Sequence, residues 1–389
     1  MARAMRTDGG GRKVLRRPPP EGAAEPGSVS AVHQFLPALL PRDAVGAHTL
    51  EMQVALREAG FSSEIFVEAV HEELEGRALH FSEFKNHARG SILLYQLATG
   101  SVLADFVFAR PEPLVVDYHN LTPPEFFRQW DTTVANALSW GRAQLAHLAP
   151  RTSLGLADSA YNESELTALE YRRTGVVPIL FDVDSVGGQV DQGCLDRLGA
   201  EKAGGGADLL FVGRLAPNKA QHDLIKVLAV YRRAYDPAAR LRLIGRPATD
   251  TYAGALSSYV RELGLEDAVS IVESVSSGEL GAYYRAADAL VVVSEHEGFS
   301  VPLLEAMVHG TPIVAYSNCA VPETLGDAGL LLPDKTPSVV AAAVHRVVTD
   351  GQVRAALIRA GRRRLREFDL GASRRRLISA LTPLTGVTA

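Results

Sequence analysis

The sequence predicts an α/β protein built from two Rossmann-like domains in tandem, each with a parallel sheet, facing a central cleft. Apolar strand-like runs alternate with helical stretches from Ser30 to Phe181 and again from Asp208 onward, the pattern of parallel sheets covered on both faces. Between the two series, residues 182–206 hold Asp, Gly and Gln and end in Gly204-Gly205-Gly206, which has the composition of a linker. At 389 residues the chain is also too long for one ordinary core.

In the first series Ala31–Leu36 reads as a strand and 46–59 as a helix. Ser63–Val67 and Ile92–Leu97 follow as strands, then a short helix over 101–109. Leu114–Tyr118 is a strand, with a long helix near 124–148 behind it. A strand near 152–156, a helix near 162–173 and a strand at Val176–Phe181 close the half. In the second series the strands are Asp208–Val212, Leu241–Ile244, Val269–Val272, Ala289–Val293, Ile313–Ala315 and Gly329–Leu332. Helices fill the gaps, and 336–381 is helical and Arg-rich. Residues 1–28 hold Arg, Gly and Pro with almost no apolar side chains and are expected to be a disordered basic tail.

Composition removes several classes of function. Apolar residues make up 47% and charged residues 22%, as in soluble globular proteins. A formal charge of −5 argues against nucleic acid as the partner. No apolar run approaches the roughly 20 residues that span a bilayer. The basic start has no apolar stretch behind it, so a secretory signal is not expected. Cys194 and Cys319 lack metal or redox spacing and read as ordinary thiols in a reducing cytoplasm. No G-x-G-x-x-G follows the first strand, which counts against a dinucleotide dehydrogenase.

Residues 297–305, Glu-Gly-Phe-Ser-Val-Pro-Leu-Leu-Glu, carry the most chemical information. A buried strand runs into Glu297, and a helix opening at Pro302 carries Glu305. Both acids therefore fall at the carboxyl end of a parallel strand, where open α/β sheets bind ligands. A helix start offers free N–H groups and a positive dipole to a phosphate. Two carboxylates beside it can accept hydrogen bonds from pairs of sugar hydroxyls. Phosphate and hydroxyls together point to a nucleotide-sugar. Upstream, Gly213-Arg214-Leu215-Ala216-Pro217-Asn218-Lys219 leaves a strand for a helix. Gly213 permits close backbone approach. Arg214 offers a planar fork and Lys219, one of only six lysines, a point charge, and both suit a diphosphate. Taken alone, Arg214 reads better as a surface residue, and the plain alternative for Glu305 is a first-turn acid favoured by the helix dipole.

Gly213-Arg214…Lys219 followed by Glu297-x7-Glu305 resembles the GT-B-fold retaining glycosyltransferases of family 4 (group 1). The likeness extends over Leu209–Pro333 and includes Val321-Pro322-Glu323. It implies a donor held in the cleft without a metal or other cofactor. Arg214 and Lys219 would hold the diphosphate. Glu297 would face the transferred sugar, with the backbone of Gly298, Phe299 and Ser300 on its hydroxyls. Glu305 would take the ribose, N–H groups of Leu303 and Leu304 a phosphate, and the base would lie along Val272–Ser276, with Val272 and Ser274 in contact. In the first half, Gly46, in the loop Asp43–Gly46, would lie against donor or acceptor. His119, with Asn120 after it, would line the sugar through side chain or backbone. A His capping the strand end or packed in the core is the plain structural alternative. Asp182-Val183-Asp184 has the form of a metal-binding pair but reads as part of the linker region.

The implied organisation is an acceptor-side domain over 29–185, a linker over 186–206, a donor-binding domain over 207–365, and a C-terminal helix over 366–389 returning to the first domain. The implied reaction moves a sugar to a hydroxyl acceptor in the cytoplasm. The runs Arg362–Arg364 and Arg374–Arg376 raise peripheral contact with an anionic membrane as an additional possibility. The rivals are a GT-B nucleotide-sugar epimerase and a non-catalytic sugar-nucleotide-binding protein.

Overall fold

Leu114-Val115-Val116-Asp117-Tyr118 is buried at every position, so this strand requires cover on both faces, and the fold supplies it. A computed structural model of the chain describes residues 29–41, 43–85, 90–188 and 190–386. The expected tail, 1–28, lies outside the described residues.

The first domain runs β1 (Ala31–Leu39), α1 (Ala44–Glu58), β2 (Ile65–Val70), β3 (Leu79–His80), β4 (Ser91–Leu97), α2 (Val102–Phe108) and β5 (Leu114–Tyr118). It continues through α3 (Thr132–Leu148), β6 (Thr152–Ala157), α4 (Ala160–Ala168) and β7 (Thr174–Val176). Its parallel sheet has the order β3-β2-β1-β4-β5-β6-β7.

Two helices, α5 (Val183–Gly187) and α6 (Gln192–Lys202), lead into β8 (Asp208–Val212), α7 (Gln221–Ala234), β9 (Arg240–Ile244) and α8 (Asp250–Glu262). Then come β10 (Val269–Val272), α9 (Ser277–Ala286), β11 (Ala289–Val292), α10 (Val301–His309), β12 (Ile313–Tyr316), α11 (Val321–Leu325) and β13 (Gly329–Leu332). The chain finishes with α12 (Pro337–Thr349), α13 (Gly351–Arg364) and α14 (Leu370–Thr385). The second sheet, also parallel, has the order β10-β9-β8-β11-β12-β13.

Because side chains alternate along a strand, each sheet divides its apolar residues between two cores. Leu209 and Phe211 of β8 join Tyr231, Tyr252 and Val344, so α7, α8 and α12 cover one face. Leu210 joins Tyr284, Leu303 and Leu325, so α9, α10 and α11 cover the other. Leu377, Ile378 and Leu381 of α14 enter the first domain's core beside Val32 and Met52.

The structure corrects three expectations. The segment assigned to a linker contains α6, which Asp191 caps at Cys194 N (2.6 Å) and which buries Cys194 and Leu198 in the second domain. Its apolar positions are four apart, enough for one buried stripe in an otherwise polar helix. The long helix near 124–148 begins only at Thr132. Pro123 and Pro124 set a short 3-10 turn, and Asp131 then caps Thr133 and Val134. Val176–Phe181 is strand only at its first residue. Beyond it the chain crosses between domains, with Val177 and Leu180 in the first core and Ile179 and Phe181 in the second. Burial from two sides imitates a buried strand in the sequence.

Candidate active site

The site begins where β8 and β9 end. Gly213 (φ +144°) and Gly245 (φ +147°) bring the two strand tips together, and a Cβ on Gly245 would stand 2.1 Å from the Gly213 carbonyl oxygen. Only glycine fits that approach. The chain then turns through Pro217–Lys219 into α7. Asn218, buried in this turn, accepts from Glu295 N (2.7 Å) and donates through Nδ2 to His296 O (3.2 Å). Those two bonds tie the tip of β8 to the segment after β11.

The tie brings Lys219 Nζ within 2.6 Å of Glu297 Oε2. Both side chains are largely buried, at 20% and 8% exposure. Arg214 sits on the same loop with its side chain exposed, and among the described residues it has no ion-pair partner. Past Glu297, the carbonyls of Gly298 and Phe299 accept from Ser159 Oγ (2.7 Å) and Thr324 Oγ1 (2.6 Å). Among the described residues, the N–H groups of Gly298, Phe299 and Ser300 remain unpaired. Ser300 (φ +75°) turns the chain into α10 without a side-chain cap. The first N–H groups of that helix face the loop, although Leu303 N already donates to Ser300 O (3.1 Å). The Phe299 ring is core, packed edge-on against Phe368, so only its backbone can meet a ligand.

Glu305 lies one turn into α10. Tyr284 donates its hydroxyl to Glu305 Oε2 (2.7 Å), which orients the carboxylate and leaves its second oxygen for a ligand. Burial pushes this carboxyl above its ordinary pKa, against the Tyr284 bond. Val272 ends β10 and accepts from Gly245 N (2.8 Å), while Ser274 is exposed just before the Ser276–Glu279 capping box of α9.

Two residues expected at the site have polar atoms engaged within the first domain. The His119 side chain is only 1% exposed and is turned into the first domain. Nδ1 meets Asp158 Oδ1 at 3.0 Å and Nε2 meets Gln96 Oε1 at 2.5 Å. Burial acts to lower its pKa, but Asp158 and Asp117 outweigh it and hold it up at about 9, so the ring is a cation at neutral pH. Asp117 keeps its charge: burial opposes this, but His119 and His48 hold its carboxyl below the ordinary range. His119 can therefore line the cleft through its backbone alone. Gly46, at the start of α1, gives its N–H to Asp43 Oδ2 (2.9 Å), so that amide is not free for a phosphate.

Among the described residues, His48, Asp117 and His119 hold potential ligand atoms within 4.8 Å of one another. Hydrogen bonds occupy them. His48 Nδ1 accepts from Leu180 N (2.9 Å), which leaves Nε2 protonated toward Asp117 Oδ2 (3.1 Å). Asp182 caps α5 through Asp184 N and Ser185 N, so that pair ends a helix turn.

Asn120 does reach the site. It adopts φ +68° and bonds Asn162 Oδ1 (2.8 Å), and its Cβ lies 2.4 Å from where a Cβ on Gly298 would stand. Glu323 reaches the start of α4 from the other side, accepting from Ala160 N at 2.8 Å. The two domains therefore meet at Gly298. Sequence reasoning did not single out Asn218 or Tyr284. Asn218 lies inside the quoted motif, and a small amide in a strand-to-helix turn was its available signal; Tyr284 had none.

The family described as glycosyl transferases group 1 matches residues 198–364. The chain carries a group 1 glycosyl transferase domain. It is 35% identical over 181 residues to a D-inositol 3-phosphate glycosyltransferase of Kineococcus radiotolerans, covering 42% of this chain and 41% of that one. It is 34% identical over 236 residues to the Geodermatophilus obscurus protein of the same name, covering 58% and 50%. The chain thus spans half or less of the length of these relatives. Among solved structures, Anabaena Alr3699/HepE in complex with UDP and glucose superposes with TM-score 0.72 at 19% identity, over 91% of this chain and all (100%) of that one. Sucrose-phosphate synthase from Thermosynechococcus elongatus superposes with TM-score 0.71 at 17% identity, over 92% and 100%. The fold is GT-B. The group 1 domain is the half that holds Arg214, Lys219, Glu297 and Glu305.

Proposed function

We propose that the protein is a retaining glycosyltransferase that moves a sugar from a nucleotide-diphosphate sugar to a hydroxyl acceptor without a metal. The observation that carries this is the largely buried Lys219–Glu297 pair, set beside the uncapped start of α10. A donor diphosphate would draw Lys219 away from Glu297. The freed carboxylate would then accept hydrogen bonds from the sugar, so one event binds phosphate and readies the sugar subsite. Arg214, Lys219 and the helix start would stabilise the charge that grows on the departing diphosphate, the effect that most often dominates catalysis. The free N–H groups of Gly298–Ser300 would hold sugar hydroxyls. Glu305 would take the ribose through its second oxygen.

Among the described residues, Asp158 on the first-domain side of the Gly298 turn is bound to His119 and is not free to act as a nucleophile. That favours front-face attack with retention, the departing phosphate taking the acceptor's proton. UDP is the first diphosphate to test, because the structural neighbour was solved with it. The relatives' name puts a phosphorylated polyol among the acceptors to try.

We place the reaction in the cytoplasm. No described helix is long and apolar enough to cross a membrane. Three of the six arginines in the two runs are paired within the protein, and Arg362, Arg375 and Arg376 are exposed with no ion-pair partner among the described residues. Arg363 pairs with Asp327, Arg364 with Glu367, and Arg374 with Glu51 and Glu58.

The test is calorimetric titration with UDP, GDP and ADP in excess EDTA. Binding of one of them without metal is the expected result. Binding only after magnesium or manganese is added overturns the metal-free reading.

A further inference from the structure

A second cavity, of about 850 Å³, opens between the domains on the face of the second sheet opposite α9 and α10. It lies between the 3-10 turn before α3 on one side and α7 and α8 on the other. Of the donor-site elements, α9 and α10 pack on the far face, while the Arg214–Lys219 loop leads into α7 beside the cavity. The two sites adjoin: Pro217 and Glu295 line the cavity, and Lys219 and Glu297, two residues on in each segment, form the ion pair of the donor site.

The walls are aromatic and hydrogen-bonding. Phe126 and Trp130 come from the first domain, Tyr252 and Tyr259 from the second. Trp130 packs on the second domain's core and meets Tyr252 edge-on, with centroids 5.0 Å apart. Tyr252 OH is held by His222 Nδ1 at 2.9 Å. The lining charges are largely spoken for. Lys226 pairs with Asp223, Glu295 with Lys335, and Glu125 with Arg128. No unpaired cation remains among the described lining residues, so a phosphate or sulfate group has nothing to neutralise it. What stays open is ring face, the Tyr259 hydroxyl, the Gln129 amide and the Glu262 carboxylate, while Ser258 Oγ accepts from Arg261 (3.1 Å).

Ring faces beside neutral and anionic acceptors suit one ligand class well. The C–H faces of a pyranose lie on aromatic rings, and its hydroxyl pairs bond carboxylates and amides. The volume falls within the range of about 300–1,000 Å³ usual for ligand pockets. We propose that this interdomain cavity is a second carbohydrate site that binds a neutral oligosaccharide, apart from the donor site. The choice of ligand class rests on the glycosyltransferase reading; the cavity and its chemistry do not. A chain held there touches both domains at once and so favours their closed arrangement.

The chain has two tryptophans, Trp130 and Trp140, so a Trp140→Phe background leaves Trp130 as the sole indole reporter. Neutral trisaccharides of glucose, mannose and N-acetylglucosamine are titrated against its fluorescence, with choline as the cationic control. The expected result is a saturable change with at least one sugar. Tyr259→Ala should weaken it roughly tenfold, the loss of one stacked ring. Ser258→Phe, which fills the cavity without emptying a core position or adding an indole, should weaken it as much. UDP binding by calorimetry should be unchanged in both variants. No saturable change with any of the three sugars overturns the proposal. So does sugar binding that survives both variants, or choline binding where sugars fail. Loss of UDP binding in the parent protein with sugar binding intact would sink the transferase reading and leave this one standing.

Discussion

Lys219 and Glu297 are 78 residues apart in the chain, yet Nζ and Oε2 lie 2.6 Å apart across the tips of neighbouring strands. β8 and β11 are hydrogen-bonded neighbours, so the pairing follows from strand order. Asn218 fixes the distance by bonding the backbone on either side of His296. A pair this buried is held by geometry and is costly to break by removing one partner alone.

The two members should fail differently. Lys219→Ala removes a phosphate ligand, so UDP affinity should fall roughly ten- to a hundredfold, the range for one charge-assisted bond. Glu297→Gln removes the internal competitor for Lys219. UDP affinity should hold or rise while turnover falls by at least about tenfold, as a transition-state contact is lost. Calorimetry with UDP beside initial rates separates the two. Equal losses of UDP affinity in both variants would mean that the pair is only structural.

Glu305 supplies a sharper discrimination. Its free oxygen would meet ribose, so Glu305→Gln should weaken UDP roughly tenfold, in line with one bond to a charged group, and leave inorganic pyrophosphate unaffected. Competition between the two ligands checks it. A parallel loss for pyrophosphate would mean that the carboxylate acts by shaping the helix start.

The sheets were legible because buried parallel strands are written as apolar runs, and Leu114–Tyr118, Asp208–Val212 and Gly329–Leu332 keep the bounds read from sequence. The acids and cations of the second domain were legible because strand tips and helix starts fix their placement. The direction of the His119 side chain was not, because it depends on Asp158 and Gln96, which lie just past β6 and on β4. The crossover at Val177–Phe181 was misread for a related reason: pattern records burial, and here two separate cores supply it.

Stability should depend on pH through His119. Its folded pKa, at about 9, exceeds the ordinary value of 6.5. A raised basic pKa stabilises the fold fully below the unfolded value, and that stabilisation is lost as pH rises through the folded one. The unfolding free energy from urea titration should therefore fall between about pH 6.5 and pH 9, by at most about 1.4 kcal/mol per pH unit for one proton. His119→Gln should flatten that limb. A slope unchanged in the variant would assign the effect to another group.

The contact between Gly298 and Asn120 predicts a rescue. A methyl group on Gly298 would stand 2.4 Å from Asn120 Cβ, a separation no pair of carbons tolerates, so Gly298→Ala must push the domains apart at this point. Asn120 sits at φ +68°, which glycine adopts without strain. Asn120→Gly therefore removes the nearest clashing atoms, leaving Asn162 Nδ2 at 3.0 Å, and relaxes its own backbone. Gly298→Ala alone should enlarge the radius of gyration in solution scattering and cut turnover roughly tenfold, as misplaced reacting groups do. The double variant should recover the compact form. It should regain only part of the turnover, since the Asn120–Asn162 bond stays lost. Independent, additive effects of the two changes would show that the domains do not meet here in solution.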